Sequence, residues 1–127
     1  MPDVMIVVPT YDEIEGLERT VGRLRQSVPH AEVLIVDDGS PDGTGELADR
    51  LARADAGTLV IHRVERGYRS AVIEGMRFAM ARGATRVAEC GPGKVLAGLV
   101  KRIDKGLDAR AIGGVGDFQG ALADWQV

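Results

Sequence analysis

The sequence predicts an α/β fold, a three-layer α/β/α sandwich around one five-stranded parallel sheet of Rossmann-like or flavodoxin-like type. Two observations carry this expectation. Short continuous β-branched runs such as "VMIVV" (Val4 to Val8) and "EVLIV" (Glu32 to Val36) have the pattern of parallel strands covered on both faces. Between such runs lie segments whose apolar residues recur every three or four positions, as on one stripe of a helix. Strands that alternate with helices at this spacing pair in parallel through right-handed crossovers, and the strand order expected here is 3-2-1-4-5.

Taken in order, Val4 to Val8 form the first strand, and Ile14, Leu17, Val21, Leu24 and Val28 share one face of a helix that ends before Pro29. Asp12 is the expected N-cap of that helix, with Glu15 closing a capping box. The second strand, "EVLIV", leads into the turn "DDGSPDGTG" and a shorter helix built on Leu47, Ala48 and Leu51. "TLVIH" (Thr58 to His62) is the third strand. A helix from Ser70 to Arg82 carries Val72, Ile73, Met76 and Met80, and Gly83 stops it because glycine alone enters the left-handed region without cost. "TRVAE" is the fourth strand, Val95, Leu96, Leu99, Val100 and Ile103 mark a fourth helix, and "ARAIGG" is the fifth strand. Phe118, Ala121, Leu122 and Trp125 share a face of the last helix, with the Trp125 ring expected to pack on the sheet.

Composition narrows the function classes. The 127 residues, 45% hydrophobic and 28% charged, suit one soluble domain spanning 1–127. A net charge of −3 with no block of like charge offers no field for a polyanion, so nucleic acid is not an expected partner. Cys90 is the only cysteine, which excludes an internal disulfide and any multi-cysteine metal site and fits a reducing compartment. No apolar run nears the ~20 residues that span a bilayer, and no signal-peptide pattern precedes the first strand. The expected location is the cytoplasm, without a membrane partner.

In the order 3-2-1-4-5 the chain reverses direction between strands one and four, so a crevice opens at the carboxyl edge of the sheet. The loops that would meet there are "PTYDE", "DDGSPDG" and "CGPGK". The last is not a Walker A loop: Ala88 stands at the first-glycine position and Val95 follows Lys94 where Ser or Thr is required. Pro92 also removes a backbone donor that a phosphate nest would use. Gly91 and Gly93 serve a tight strand-to-helix turn, and Lys94 offers a weak phosphate site at a helix N-terminus.

"IVVPTYDEIEGLERTVGRL", "VLIVDDGSPDGTGELADRL" and "ERGYRSAVIEGMRFA" together resemble the N-terminal half of nucleotide-sugar-dependent glycosyltransferases of the dolichol- or polyprenyl-phosphate mannose synthase type. The resemblance covers residues 1–80. It implies that Pro9, Thr10, Tyr11, Glu13, Asp37 and Asp38 contact the nucleoside, with Asp12 standing where the family usually has asparagine. Carboxylates accept from base N–H groups and sugar hydroxyls, and Tyr11 supplies a flat face. The family also carries an Asp-x-Asp motif after strand four that holds a divalent cation, whereas this chain has Glu89-Cys90-Gly91 there. The expectation is therefore that no cofactor is bound, that the divalent metal is lost, and that neither a metal site nor a catalytic residue is present.

From residue 81 to 127 the sequence resembles the C-terminal segment of malonyl-CoA:acyl-carrier-protein transacylases, through "ECGPGKVL" and its surroundings. It carries no Gly-x-Ser-x-Gly elbow. Two readings follow from the pair of resemblances. One is a recombined, non-catalytic domain that keeps residual binding of GDP, UDP or their sugars; the alternative is a working nucleotide-sugar-dependent glycosyltransferase of the polyprenyl-phosphate mannose synthase type.

Overall fold

The computed structural model describes residues 4–64, 67–90 and 105–125. They fall into two compact units, Met1–Ala79 and Met80–Val127.

The first unit contains β1 (Met5–Thr10), α1 (Leu17–Ser27), β2 (Glu32–Asp37), α2 (Thr44–Ala54), β3 (Thr58–His62) and α3 (Tyr68–Ala81), the last of which runs on past Ala79. β2 is central and pairs in parallel with both neighbours, Val7 opposite Leu34 and Ile35 opposite Val60. Its run Val33–Val36 is fully buried, which is why it reads as continuous apolar sequence rather than as an alternation. Val33 and Ile35 pack with Leu17, Val21, Leu47 and Ala48 of α1 and α2. Leu34 and Val36 face the other way and pack with Ala71 and Phe78 of α3. α3 approaches so closely that a Cβ on Gly75 would stand 2.4 Å from Val7 Cγ1. Small residues at Ala71, Gly75 and Ala79 make that contact, so its buried face is rotated from the stripe read in the sequence: Val72 and Met76 are buried, while Ile73 and Met80 are half-buried.

The start of α1 differs from expectation. Asp12 is not its N-cap; it has a positive φ of 54°, and the helix begins at Leu17 behind Gly16, with no side-chain cap. The physical cause lies in the neighbouring loop, whose side chains take the backbone donors that a helix start would use. Ser40 Oγ accepts from Asp12 N, Thr44 Oγ1 from Glu13 N and Asp42 Oδ2 from Ile14 N. Residues 13–16 consequently form a turn closed by Leu17 N on Glu13 O, and Ile14 still packs on the core. Gly83 does end α3 as expected, with φ 97° and its N–H on Met80 O.

The second unit contains β4 (Arg86–Cys90), β5 (Asp108–Ile112) and α4 (Val115–Trp125). β4 and β5 pair in parallel, Val87 opposite Ala109. The described strands thus hydrogen-bond as a sheet of three, β1-β2-β3, and a sheet of two, β4-β5. The pairing of strand one with strand four, on which the single five-stranded sheet and the order 3-2-1-4-5 depend, is not among the described ladders. β4 alternates exposed and half-buried residues, so it lacks the two-sided burial its apolar letters implied. Trp125, expected to pack on the sheet, has its partners among the residues of β4 and β5. Its Nε1 donates to Asp108 Oδ2 at 2.6 Å, and the guanidinium carbons of Arg86 and Arg110 lie 5.9 and 5.4 Å from its ring centroid. A polar bond and two cations carried by these strands hold the ring. The expected fourth helix, Val95 to Ile103, falls outside the described residues.

Candidate functional site

Parallel strands end on one edge, so the carboxyl ends of β1, β2 and β3 bring three connections together: residues 10–16, residues 37–44, and the turn that leads from Arg63 into α3. Asp37 ends β2 and is 2% exposed, and its oxygens are occupied from within. Oδ1 accepts from Thr10 Oγ1 at 2.8 Å and from Ser40 Oγ at 2.6 Å, while Oδ2 accepts from Ser40 N at 3.0 Å. A carboxylate bonded this way fixes the shape of a loop. Gly45 is needed beside it, because a Cβ there would stand 3.3 Å from both Asp37 Oδ2 and the His62 ring.

Asp38, 6% exposed, is arranged otherwise. Its Oδ2 accepts from Gly67 N at 3.1 Å, and its Oδ1 lies 3.1 Å from Arg63 Nη1. That second contact has the distance of an ion pair without the alignment of a hydrogen bond, and Oδ1 is buried with no hydrogen-bond partner. Arg63 itself is 7% exposed at its side chain and reaches in three directions. Nε bonds Glu74 Oε2 at 2.8 Å, Nη2 donates to Ser70 Oγ at 2.7 Å and Nη1 to Gly67 O at 3.4 Å.

The loops are clamped to one another by Asp42 and Thr44. Asp42 accepts from the backbone and hydroxyl of Thr44 and from Ile14 N, and these bonds, the Thr44 hydroxyl foremost, hold its carboxyl below the ordinary carboxylate range. Thr44, fully buried, in turn accepts from Glu13 N.

The residues singled out in the sequence divide accordingly. Pro9, Thr10 and Glu13 line one shallow depression with Val8, Leu17 and Thr20. Tyr11 is 36% exposed beside it in sequence, and Asp37 and Asp38 lie buried at the end of β2. Lys94 falls outside the described residues. Arg63, Ser70 and Glu74 escaped the sequence reading. An arginine just after an apolar strand looks like any surface residue, and only the spacing of Ser70 and Glu74 on one helical face hinted at a common partner.

Among the described residues no group of three or more His, Cys, Asp or Glu comes together to hold a metal ion. Asp37 already accepts three hydrogen bonds and Asp38 faces a guanidinium, which opposes a second cation there. Among the described residues the donors at this edge do not fit a divalent cation. Cys90 is exposed at the end of β4.

Residues 5–85 match the family model described as glycosyl transferase family 2. The chain belongs to that family. It is 49% identical over 81 residues to an undecaprenyl-phosphate mannosyltransferase of Micrococcus luteus, an alignment covering 63% of this chain and 33% of the relative. It is 37% identical over 128 residues to a polyprenol monophosphomannose synthase of Mycolicibacterium smegmatis, covering 95% of this chain and 48% of the relative. A dolichol-phosphate mannosyltransferase of Pyrococcus furiosus is 36% identical over 78 residues, covering 60% of this chain and 22% of the relative. The chain therefore spans a third to a half of the length of the first two relatives. The second alignment continues through the segment likened above to a transacylase, so that segment has a counterpart within a polyprenol monophosphomannose synthase. This removes the ground for a recombined domain. Among the described residues no helix is long and apolar enough to cross a membrane.

Proposed function

We propose that the chain supplies the nucleotide-binding portion of a glycosyltransferase that takes a nucleotide-sugar donor, GDP-mannose or a related compound, and serves a polyprenyl-phosphate acceptor. The observation that carries the reading is the acid pair at the end of β2, in which Asp37 is spent on the loop while Asp38 keeps one buried oxygen without a hydrogen-bond partner. A buried acceptor in that condition gains when a ligand N–H or O–H reaches it, because the cost of its desolvation has already been met. The three relatives cited above are named as mannosyltransferases or mannose synthases on undecaprenyl, polyprenol or dolichol phosphates, which supports mannose as the sugar and a polyprenyl phosphate as the acceptor class.

In this reading Asp38 accepts from the base or ribose, and the exposed Tyr11 ring stacks on the base. Pro9, Thr10 and Glu13 shape the wall of the depression, and Asp37 with Thr10 braces it from beneath. Because the donor set does not suit a divalent cation, nucleotide binding is assigned to these residues alone and no transfer step is derived through a metal.

Isothermal titration of the chain with GDP and UDP, in Mn²⁺ and then in chelator, tests the proposal. Saturable binding of one nucleotide that Asp38→Asn weakens supports it. No binding of either by a folded chain, or binding that Asp38→Asn leaves unchanged, overturns it.

A further inference from the structure

We propose that Arg63 is the positioning residue of this site: it holds the Asp38 carboxylate and the first turn of α3 in the one arrangement that leaves the buried Asp38 Oδ1 without a hydrogen-bond donor of its own, an acceptor kept for the nucleoside of a nucleoside diphosphate. The inference rests on the nucleotide-site reading above and deepens it.

Three observations converge on Arg63. It is 7% exposed at its side chain, although it lies just beyond the last residue of β3. Its three nitrogens engage three partners on two other segments, Nη1 beside Asp38 in the loop after β2, Nη2 on Ser70 and Nε on Glu74 of α3. Its backbone is fixed as well, since Arg63 N donates to Asp37 O at 2.8 Å and a Cβ on Gly39 would stand 3.1 Å from Arg63 O. The end of β3, the loop after β2 and the start of α3 are thus joined through one planar group.

Stability alone does not explain such an arrangement. Removing an arginine and a carboxylate from water costs about what their attraction returns, and apolar residues of similar volume commonly serve a fold as well. The pairing does decide orientation. Asp38 Oδ2 is drawn to Gly67 N at 3.1 Å, and the guanidinium sits beside Oδ1 out of hydrogen-bond alignment, compensating its charge while leaving its lone pairs unsatisfied. A full hydrogen bond from Arg63 to Oδ1 would take up one of its two lone pairs and weaken it as an acceptor, and loss of the guanidinium would leave a buried charge uncompensated. A planar fork held on its other nitrogens by Ser70 and Glu74 occupies the intermediate position, which a lysine ammonium cannot reproduce because it is a single point of charge.

The test uses Arg63→Lys, which keeps the charge and so protects folding, with Glu74→Gln on the half-exposed side of the cluster as a second variant. Two readouts are compared. Amide exchange at Gly67 reports whether Asp38 is held in place without any nucleotide present, and titration with GDP and UDP reports whether the site works. In Arg63→Lys we expect Gly67 exchange to accelerate while the β2 amides stay protected, and nucleotide affinity to fall about ten- to hundredfold, the range for losing one well-placed hydrogen bond to a charged group. Asp38→Asn combined with Arg63→Lys should bind no more weakly than Asp38→Asn alone, because the arginine acts through the aspartate. Glu74→Gln should move both readouts in the same direction by less. Unchanged Gly67 exchange in both variants, or losses that add in the double variant, overturns the positioning role. A protected Gly67 amide in a wild-type chain that binds neither nucleotide sinks the nucleotide-site reading instead and leaves the mechanical linkage standing.

Discussion

Two arginine–aspartate pairs sit at opposite edges of the three-stranded sheet, and they differ in what they leave undone. At the amino edge Arg25 reaches from the last turn of α1 to Asp55 beyond α2, with Nε 2.6 Å from Oδ2, and donates to Ala31 O and Thr58 Oγ1. Asp55 is fully served, its Oδ1 by Gly57 N and its Oδ2 by Thr58 Oγ1 and the guanidinium. The side chains are 22% and 39% exposed. At the carboxyl edge Arg63 and Asp38 are each 7% exposed, and Asp38 Oδ1 has no hydrogen bond. The same two residue types make a brace in which both carboxylate oxygens are hydrogen-bonded, and a more deeply buried pair in which one acceptor is left over.

The sharpest way to break this comparison is to remove each arginine. Arg63→Met strands a buried carboxylate and should cost about 3–5 kcal/mol, whereas an exposed pair is worth about 0–1 kcal/mol and Arg25→Met should cost little beyond that and its bonds to Ala31 and Thr58. Denaturant midpoints of the two variants check this, and equal losses would mean that the pairs are alike. A smaller effect is expected at Thr44, which couples the two loops of the site. Thr44→Val leaves Glu13 N and Asp42 without its hydroxyl and should cost about 1–3 kcal/mol. Amide exchange at Asp12, Glu13 and Ile14 should accelerate while the Gly57 amide at the other edge stays protected. The smallest effect concerns acid. The Gly57 N–H above all, then the Thr58 hydroxyl and Arg25, hold the Asp55 carboxyl below its ordinary 3.8 against the opposing influence of burial. A carboxyl depressed in the folded state contributes stability that is complete above the unfolded value and disappears as pH falls through the folded one. Melting temperatures followed downward from pH about 6 should therefore drop in the native chain below about pH 4 and drop less in Asp55→Asn. Parallel curves would remove Asp55 from the brace.

β2 was legible because burial on both faces leaves no room for polar residues, and "VLIV" announces itself; β1 and β3 were legible from the same β-branched and apolar letters although most of their residues are only half-buried. β3 has the predicted boundaries, and β2 runs one residue further. The start of α1 was not legible, since the side chains that capture residues 12–14 come from 28 to 31 positions away, beyond any local capping rule. The second unit misled for a related reason. Apolar letters in "TRVAE" resemble a core strand, yet β4 is covered on neither face in the way β2 is. Trp125, expected to pack on the sheet, meets there Asp108 and the guanidinium groups of Arg86 and Arg110, which the apolar stripe of its helix did not announce.

By itself the sequence determined the alternation of strand and helix, the loops that carry Thr10, Asp37 and Asp38, and the family to which they belong. These are local matters, fixed by period, by turn chemistry and by residues adjacent in the chain. Only the tertiary structure decided that Asp37 is spent on its own loop while Asp38 is not, and that Arg63 is buried between them and α3. The two aspartates are neighbours of identical chemistry, so nothing in the letters separates them. What separates them is the alternation of side chains at the end of β2, which turns one carboxylate toward Thr10 and Ser40 and the other toward a guanidinium 25 residues on.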